Sequence, residues 1–500
     1  MGKSFLLLFF KKEALSSGIC AMLLSLVVLG IHAHKYPDFS GFYAGLDQHR
    51  YLLDAQGWAH VDLAPALHYY LPYYALLAAP FVWLTPFQPF MLPDLVCLVA
   101  CLLLFVRIGR RLAPDWPPAL PALCFLVAVL GGRSCLAIWV VPWSSTGAAP
   151  LQFGAVLLGL RFAEAPSASR AAALGLVIGV LAGFRPSDAV VQGLACGCVA
   201  VAVLARRRPA WPHGLFCAAS AIAGAMLGIL PAVVAHLMVF GTASGPYLVK
   251  SAALGFAWTL LPLRWVMLVV TPQPLLPEGT GIARALPWVA PGIAGMALAV
   301  LPRRWRDGAQ PGMPAVLAAL AVTLHWACYL AYRDLHAYGM WRYYNIHYFK
   351  WTFPFLVLWA AQLGVALWRR PSRARALGLC GATLLLFIWR PVARNPVRVS
   401  LNPAPGGLAL AAVPGLRQAI WLPLQGNWEA IYGGIFTLHE AGRDFSDVID
   451  FKMLPVPGGA VLMPVRDLPA GPAVLELPSG VVARRGEDGW VFGEEEALLF

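Results

Sequence analysis

Long apolar runs, separated by short basic or aromatic-polar segments, fill the first 390 residues of the chain. They predict helices near residues 14–33, 88–106, 118–133, 147–163, 171–184, 189–205, 215–240, 285–301, 313–331, 350–368 and 376–391. A span of roughly 20 apolar residues crosses the hydrocarbon core of a bilayer, and most of these runs approach that length. The shorter ones, notably 171–184, either tilt little, thin the bilayer or dip without crossing. Two further apolar segments fit less well. Residues 68–84 contain four tyrosines and internal prolines. They read as an interfacial element at the outer face, where Tyr and Trp rings prefer the headgroup zone. Residues 252–270 read in the same way, as outer-face or re-entrant. From about Pro391 the period shortens. Runs such as Ala460-Val461-Leu462-Met463, Ala473-Val474-Leu475-Glu476 and Gly489-Trp490-Val491-Phe492 are set apart by Pro-Gly and Gly-Gly pairs, the pattern of hairpins.

Composition agrees with that pattern. Hydrophobic residues make up 59% of the 500 and charged residues 12%, and the mean hydropathy is +0.68. A soluble protein cannot hide so much apolar surface. The expected fold class is an all-α polytopic membrane protein with about eleven transmembrane helices over residues 1–390. A small C-terminal β-rich or α/β domain follows, residues 391–500, outside the membrane.

The net charge of +13 does not point to nucleic acid once its distribution is followed. Basic residues gather between alternate apolar runs: Lys11 and Lys12; Arg107, Arg110 and Arg111; Arg161 and Arg170; Arg206 to Arg208; Arg303, Arg304 and Arg306; Arg369, Arg370, Arg373 and Arg375. The acidic residues in these loops are Glu13, Asp115, Glu164 and Asp307, which leaves 20 of the 24 elsewhere. The positive-inside rule assigns such loops to the cytoplasm, with the N-terminus inside and the C-terminus outside. The ten cysteines lie mostly in apolar runs and show no metal-ligand spacing.

The opposite loops carry the candidate chemistry. The first holds His32, His34, Lys35, Asp38, Asp47, His49, Arg50, Asp54, His60, Asp62 and His68; later ones add Arg185 and Asp188, then Arg342, Tyr343, His347 and Lys350. Cations and carboxylates at one membrane face suit a reaction between a phosphorylated lipid and a polar acceptor: Arg or Lys neutralises the phosphate, and a carboxylate deprotonates the attacking hydroxyl. Asp38 is the candidate base. Each residue also has an ordinary reading: a loop aspartate after proline caps a turn, Arg185 snorkels at a helix end, and the tyrosines form an interface belt.

Four segments carry a family resemblance. Asp38-Phe39-Ser40-Gly41-Phe42-Tyr43-Ala44-Gly45 resembles the opening motif of GT-C integral-membrane glycosyltransferases, most of all the bacterial branch that uses polyprenyl-phosphate sugars, mannosyltransferase-like families among them. Leu71-Pro72-Tyr73-Tyr74 through Ala79-Pro80 is similar to the proline-punctuated interfacial helix of that fold. Ala173-Leu174-Gly175 through Gly183-Phe184-Arg185-Pro186 resembles the glycine-spaced helix that ends in Arg-Pro, and Trp341-Arg342-Tyr343-Tyr344 leading to Phe353-Pro354-Phe355 resembles the start of a late helix. The resemblance implies a GT-C fold, a polyprenyl-phosphate-linked sugar as donor, inversion at the anomeric centre and residence in a bacterial inner membrane. It implies Asp38 as general base, Arg342 and Arg185 near the donor phosphate, and Lys350, Tyr343, His347, Asp188 and Tyr43 as further substrate-binding residues. The first loop lacks the adjacent acidic pair of some relatives, so no metal and no cofactor are expected. Asn345, Ile346 and His347 stand where a proline is common. The acceptor is a lipid, a glycan or a protein. A transporter or flippase of lipid-linked sugars and a non-catalytic membrane scaffold are the rival readings.

Overall fold

The computed structural model describes residues 17–32, 46–86, 88–207, 211–271, 280–300, 312–332, 335, 345–369 and 381, and short stretches between 397 and 494. The chain divides into two compact units. One comprises Met1–Ala252, Ile282–Tyr329 and Met340–Ile388; the other comprises Ala253–Gly281, Leu330–Gly339 and Trp389–Phe500.

The first unit is helical. Its principal elements are α1 (Ser17–His32), α2 (Leu46–His60), α3 (Pro72–Ala78), α4 (Met91–Leu112), α5 (Ala119–Leu130), α6 (Arg133–Val140), α7 (Ser144–Glu164), α8 (Ala168–Phe184), α9 (Pro186–Arg207), α10 (Trp211–Phe240), α11 (Pro246–Leu254), α12 (Val289–Val300), α13 (Met313–Ala331) and α14 (Phe353–Arg369). Every apolar run from 14–33 to 350–368 therefore contains a helix, and the last run, 376–391, lies outside the described residues apart from Gly381. Among the described residues, helix length by itself supports fewer than the eleven expected crossings. Among the described residues five helices are long and apolar enough to cross: Met91–Leu112, Pro186–Arg207, Pro212–Phe240, Met313–Ala331 and Lys350–Trp368. They become six if α5 and α6 form one broken span. Ser17–His32, Ala168–Phe184 and Val289–Val300 are apolar but shorter.

The predicted span 118–133 is interrupted. Its helix stops at Leu130, and the Gly131-Gly132 break turns the chain by 91° into α6. Cys135 is fully buried in α6. The 68–84 segment contains only the seven-residue α3 and a 3-10 turn at Ala79–Phe81, too short to cross a bilayer. Its Tyr74, Ala75 and Ala78 are buried, while Trp83 and Leu84 are exposed.

Two packing devices hold the elements that carry polar residues. Small residues bring α8 and α10 into backbone contact: a Cβ on Gly175 or Gly179 would strike the carbonyl oxygens of Ala221 and Ala225, and one on Gly224 or Gly228 those of Ala172 and Leu176. Close approach of this kind maximises van der Waals contact where the hydrophobic effect gives no driving force between helices. Between α4, α5, α7 and α14, the fully buried Phe105, Phe125, Phe153 and Phe355 pack ring to ring with centroids 5.2–6.4 Å apart.

In the second unit, residues 252–270 form no continuous helix. A 3-10 turn (Trp258–Leu260), one helical turn (Leu261–Trp265) and a π turn (Val266–Val270) follow one another. Arg264 Nη1 donates to the carbonyls of Leu330 and Tyr332. The described residues from 397 on are strands, where the alternating runs predicted them. Eleven strands, β1 (Val397–Arg398), β2 (Ser400–Ala404), β3 (Gly407–Ala411), β4 (Gln418–Pro423), β5 (Thr437–Glu440), β6 (Arg443–Phe445), β7 (Phe451–Val456), β8 (Gly459–Pro464), β9 (Ala473–Glu476), β10 (Val481–Gly486) and β11 (Gly489–Glu494), make a four-stranded sheet of order β1-β4-β8-β7, a five-stranded sheet of order β2-β3-β9-β5-β6 and the hairpin β10-β11. All pairs are antiparallel except β1 with β4. Pairing of β7 (Phe451–Val456) with β8 (Gly459–Pro464) runs up to Val456↔Gly459, either side of Pro457-Gly458, the spacing of a two-residue hairpin.

Candidate functional site

Of the residues singled out in the sequence, Asp38, Tyr43, Arg342 and Tyr343 lie outside the described residues. Arg185, Asp188, His347 and Lys350 are described, and all four lie in the first unit.

Arg185 owes its place to the proline that follows it. The residue before a proline is pushed out of the helical region, so α8 ends at Phe184 and Arg185 is extended, with φ −156° and ψ 99°. Pro186 then opens α9, where its missing N–H costs no hydrogen bond. Asp188 falls in the first turn, where the positive end of the helix dipole favours a carboxylate. The turn places Arg185 Nε 3.1 Å from Asp188 Oδ2.

Tyr329, on α13, ties the pair together. Its hydroxyl accepts from Arg185 Nε at 3.1 Å and Nη2 at 2.7 Å, and donates to Asp188 Oδ1 at 2.7 Å. The guanidinium carbon lies 5.1 Å from the Tyr329 ring centroid and 4.7 Å from that of Tyr348. Among the described residues, none hydrogen-bonds Arg185 Nη1. His325, one turn before Tyr329, is fully buried. Its Nε2 donates to the Tyr348 carbonyl at 2.8 Å, and its Nδ1 faces Asp188 Oδ1 at 3.6 Å.

The segment before α14 supplies the other two residues. The His347 ring is stacked on Trp143 at 3.9 Å and 9°, with Nδ1 3.1 Å from Ser145 Oγ. Burial, with the positive charges of Arg185 and Lys350, holds its pKa well below the ordinary imidazole value, so it is neutral at pH 7. Lys350 is 1% exposed. Its ammonium donates to the Ile138 carbonyl at 2.9 Å and to Thr146 Oγ1, and lies 4.7 Å from the Trp139 ring. Asp94 on α4, which accepts the Tyr74 hydroxyl at 2.9 Å, is its main electrostatic partner. Lys350 therefore points into the helix packing, whereas Arg185 keeps one edge without a partner among the described residues.

A second buried pair is built from first-loop residues. His68 Nδ1 is 2.6 Å from Asp54 Oδ1, and Nε2 is 2.7 Å from the Asp62 carbonyl oxygen. Burial raises the Asp54 pKa to about 6. Burial alone would lower that of His68, but the bonds to Asp54 and Asp62 raise it. Both ring nitrogens face acceptors, so the pair retains a proton and neither nitrogen is left as a base. It holds the chain from α2 to Tyr69 in place.

Tyr329, His325, Tyr348 and Thr146 were not singled out in the sequence as members of this site. The signal for two of them was present: His325 and Tyr329 are four apart in a helix and so share a face. Nothing local marks that face as turned toward Asp188. Among the described residues no three His, Cys, Asp or Glu side chains converge as metal ligands.

Fold and site together define a multi-pass helical membrane protein in which a guanidinium, a carboxylate, two imidazoles and two phenols meet. No family model matches the sequence, and no curated protein matches it. ArnT from Cupriavidus metallidurans, crystallised bound to undecaprenyl phosphate, is similar in structure, with a TM-score of 0.46 and 14% sequence identity over 77% of this chain and 64% of that one. This chain thus matches less than two thirds of the length of that protein.

Proposed function

We propose that this chain is an integral-membrane glycosyltransferase that moves a sugar from a polyprenyl phosphate to an acceptor at the outer face of a bacterial inner membrane. The N-terminus is cytoplasmic and the strand-rich C-terminal region extracytoplasmic. One observation carries the reading. Asp188 and Tyr329 hold Arg185 by Nε and Nη2 beside the packed phenol rings of Tyr329 and Tyr348, which leaves the Nη1 edge presented as a fixed cation. Such an edge suits a phosphate, because a guanidinium already oriented loses little freedom on binding.

In this reading an acceptor hydroxyl attacks the anomeric carbon as the bond from that carbon to the phosphate oxygen breaks. The bonding pair leaves with the polyprenyl phosphate, whose extra negative charge Arg185 neutralises, with Arg342 as a second cation. Asp38 takes the acceptor proton, Tyr43 and Tyr343 contact substrate, and the neutral His347 supplies a hydrogen bond. Attack opposite the leaving phosphate inverts the anomeric centre. No metal or cofactor takes part in the proposal. Lys350 supports the site from behind, through Thr146 and the α6 carbonyl it holds.

The test uses purified protein in nanodiscs with radiolabelled polyprenyl-phosphate sugars and a panel of acceptors. Transfer by the wild type that is abolished in Asp38→Asn, with folding retained, is the expected result. Transfer retained in that variant removes Asp38 from the mechanism. A transporter of lipid-linked sugars is the second reading, favoured by the buried Asp94 and Lys350 in candidate spans and by the 91° break between α5 and α6, since transporters use buried ionisable groups and broken helices. Movement of the labelled lipid across the bilayer without transfer selects it.

A further inference from the structure

Three tyrosines of the first unit have no part in the phosphate reading. Tyr69, Tyr70 and Tyr247 are half-buried and meet at one corner. Ring centroids lie 5.0 Å apart for Tyr69 and Tyr70, 5.0 Å for Tyr70 and Tyr247, and 6.1 Å for Tyr69 and Tyr247, at interplanar angles of 87°, 57° and 70°. Tyr51, fully packed on α2, backs the corner 4.4 Å from Tyr70.

Opposite charges border the rings. Asp47 Oδ1 accepts the Tyr70 hydroxyl at 2.5 Å, and the Arg50 guanidinium lies 4.0 Å over the Tyr69 ring. On the other side, the Tyr51 hydroxyl donates to Ser144 Oγ at 3.2 Å, next in sequence to Trp143, which stacks on His347. The corner is therefore bordered by the α2 pair Asp47–Arg50 and joined, through Tyr51 and Ser144, to the start of α7, whose neighbour Trp143 packs on the 347–348 segment that flanks Arg185.

This setting narrows the ligand. Aromatic cages also take organic cations, but Arg50 already lies over the Tyr69 ring where such a guest would sit. A purely apolar guest would bury the charges of Asp47 and Arg50 while offering no polar group to them, which is costly. A ring with apolar C–H faces and a rim of hydroxyls satisfies both: its faces lie on the phenols, a carboxylate accepts more than one hydroxyl hydrogen, and a guanidinium donates to ring and hydroxyl oxygens. That ring is a pyranose. An interfacial tyrosine belt requires neither the carboxylate nor the mutual packing of the rings.

We infer that Tyr69, Tyr70 and Tyr247, with Asp47 and Arg50, form the subsite for the pyranose carried by the lipid donor. The sugar site is argued from these residues alone; its assignment to the donor rests on the proposed function, because the donor's sugar and phosphate share an oxygen and the corner is joined to the Arg185 site through Tyr51, Ser144 and the Trp143–His347 stack.

The experiment measures binding to full-length protein in nanodiscs of undecaprenyl phosphate, of undecaprenyl phosphate bearing each of a panel of hexoses and pentoses, and of the methyl pyranosides of the same sugars by saturation-transfer NMR. Tyr247→Leu, Asp47→Asn and Arg185→Gln are compared with wild type. At least one lipid-linked sugar should bind about 10-fold more tightly than the bare lipid phosphate, about 1.4 kcal/mol. Tyr247→Leu and Asp47→Asn should abolish that gain while leaving bare lipid phosphate within about twofold, and Arg185→Gln should weaken both ligands. No gain from any sugar, or an equal gain in both platform variants, overturns the inference. If wild type binds no lipid phosphate, the proposed function fails, and the pyranosides decide the corner: a saturation-transfer signal that Tyr247→Leu abolishes keeps a sugar site there, and no signal in wild type removes it. Pyranosides that bind the corner with no gain from the lipid-linked sugar place the acceptor there and overturn the donor assignment.

Discussion

The Tyr329 hydroxyl donates to Asp188 Oδ1 at 2.7 Å while it accepts both Nε and Nη2 of Arg185. One oxygen thus fixes an ion pair that the chain turn at Pro186 brings together. Tyr329→Phe removes that oxygen and nothing else. Arg185 Nη2 and Asp188 Oδ1 lose a partner in a buried setting, a loss of about 1–3 kcal/mol for each unsatisfied group. The helical circular dichroism should remain, while under the proposed function affinity for a polyprenyl phosphate in nanodiscs should fall roughly 10-fold or more, as expected for a shift above about 1.4 kcal/mol. Unchanged affinity with unchanged stability would mean that Arg185 does not need Tyr329 to present its free edge.

The Asp54–His68 pair predicts a pH dependence of stability whose sign follows from two raised pKa values. Asp54 is raised by burial to about 6 from 3.8. His68 is raised because its bonds to Asp54 and Asp62 outweigh burial. A group whose pKa is raised on folding holds its proton more tightly in the native state, so its contribution is complete below the unfolded value and is lost as pH rises through the folded one. Both groups act in the same direction. The thermal midpoint should therefore fall by a few degrees as pH rises from about 4 through 6, and fall further beyond the ordinary imidazole value. Asp54→Asn keeps a hydrogen bond to Nδ1 without a carboxylate, and its midpoint should be flatter between pH 4 and 6. Parallel wild-type and variant curves would sink the assignment.

The glycine contact between α8 and α10 makes a prediction about stability alone. A side chain at Gly179 meets the Ala225 backbone, which has no rotamer to change, whereas one at Gly197 on α9 meets nothing within 4 Å. Gly179→Ala should lower the thermal midpoint in detergent by an amount typical of overpacking, about 1–3 kcal/mol. Gly197→Ala should be neutral or stabilising, by up to about 1 kcal/mol from helix propensity. Similar midpoints for the two variants would show that α8 and α10 do not pack as described.

How much of this was legible in the sequence depends on the range of each interaction. The break at Arg185-Pro186 and the placing of Asp188 in the next turn are local effects of proline, and they were readable. The strands of the C-terminal region were readable because a two-residue period admits few other structures. The bend at Gly131-Gly132 was present as a glycine pair, but the continuous hydrophobicity on either side concealed it. The partners were out of reach: Tyr329 meets Asp188 across 141 positions, and Lys350 meets Thr146 across 204. A helix face can be predicted from spacing, but the helix it will face cannot. For the same reason the tyrosines of 68–74, read as an interface belt, divide in the fold. Tyr74 bonds Asp94 in the core and Tyr73 bonds the Gly228 carbonyl, whereas Tyr69 and Tyr70 gather with Tyr247.

Lys350 separates two roles that the sequence could not. A lysine that held the donor phosphate would lose binding whenever its ammonium was removed. A lysine that supports the packing of α4, α6 and α7 would lose it chiefly because Asp94 is left buried without its positive neighbour. Lys350→Met and Asp94→Leu, alone and together, distinguish these cases. Each single variant leaves one buried charge uncompensated and should lower the thermal midpoint. The double variant removes both charges and should recover part of the loss, with a coupling energy of about 0.5–3 kcal/mol. With Lys350 enclosed by Trp139, Thr146 and the Ile138 carbonyl, the affinity for polyprenyl phosphate that the proposed function requires should return in the double variant along with stability. Recovery of stability without recovery of affinity would put the ammonium on the ligand, and Lys350 would join Arg185 as a direct phosphate ligand.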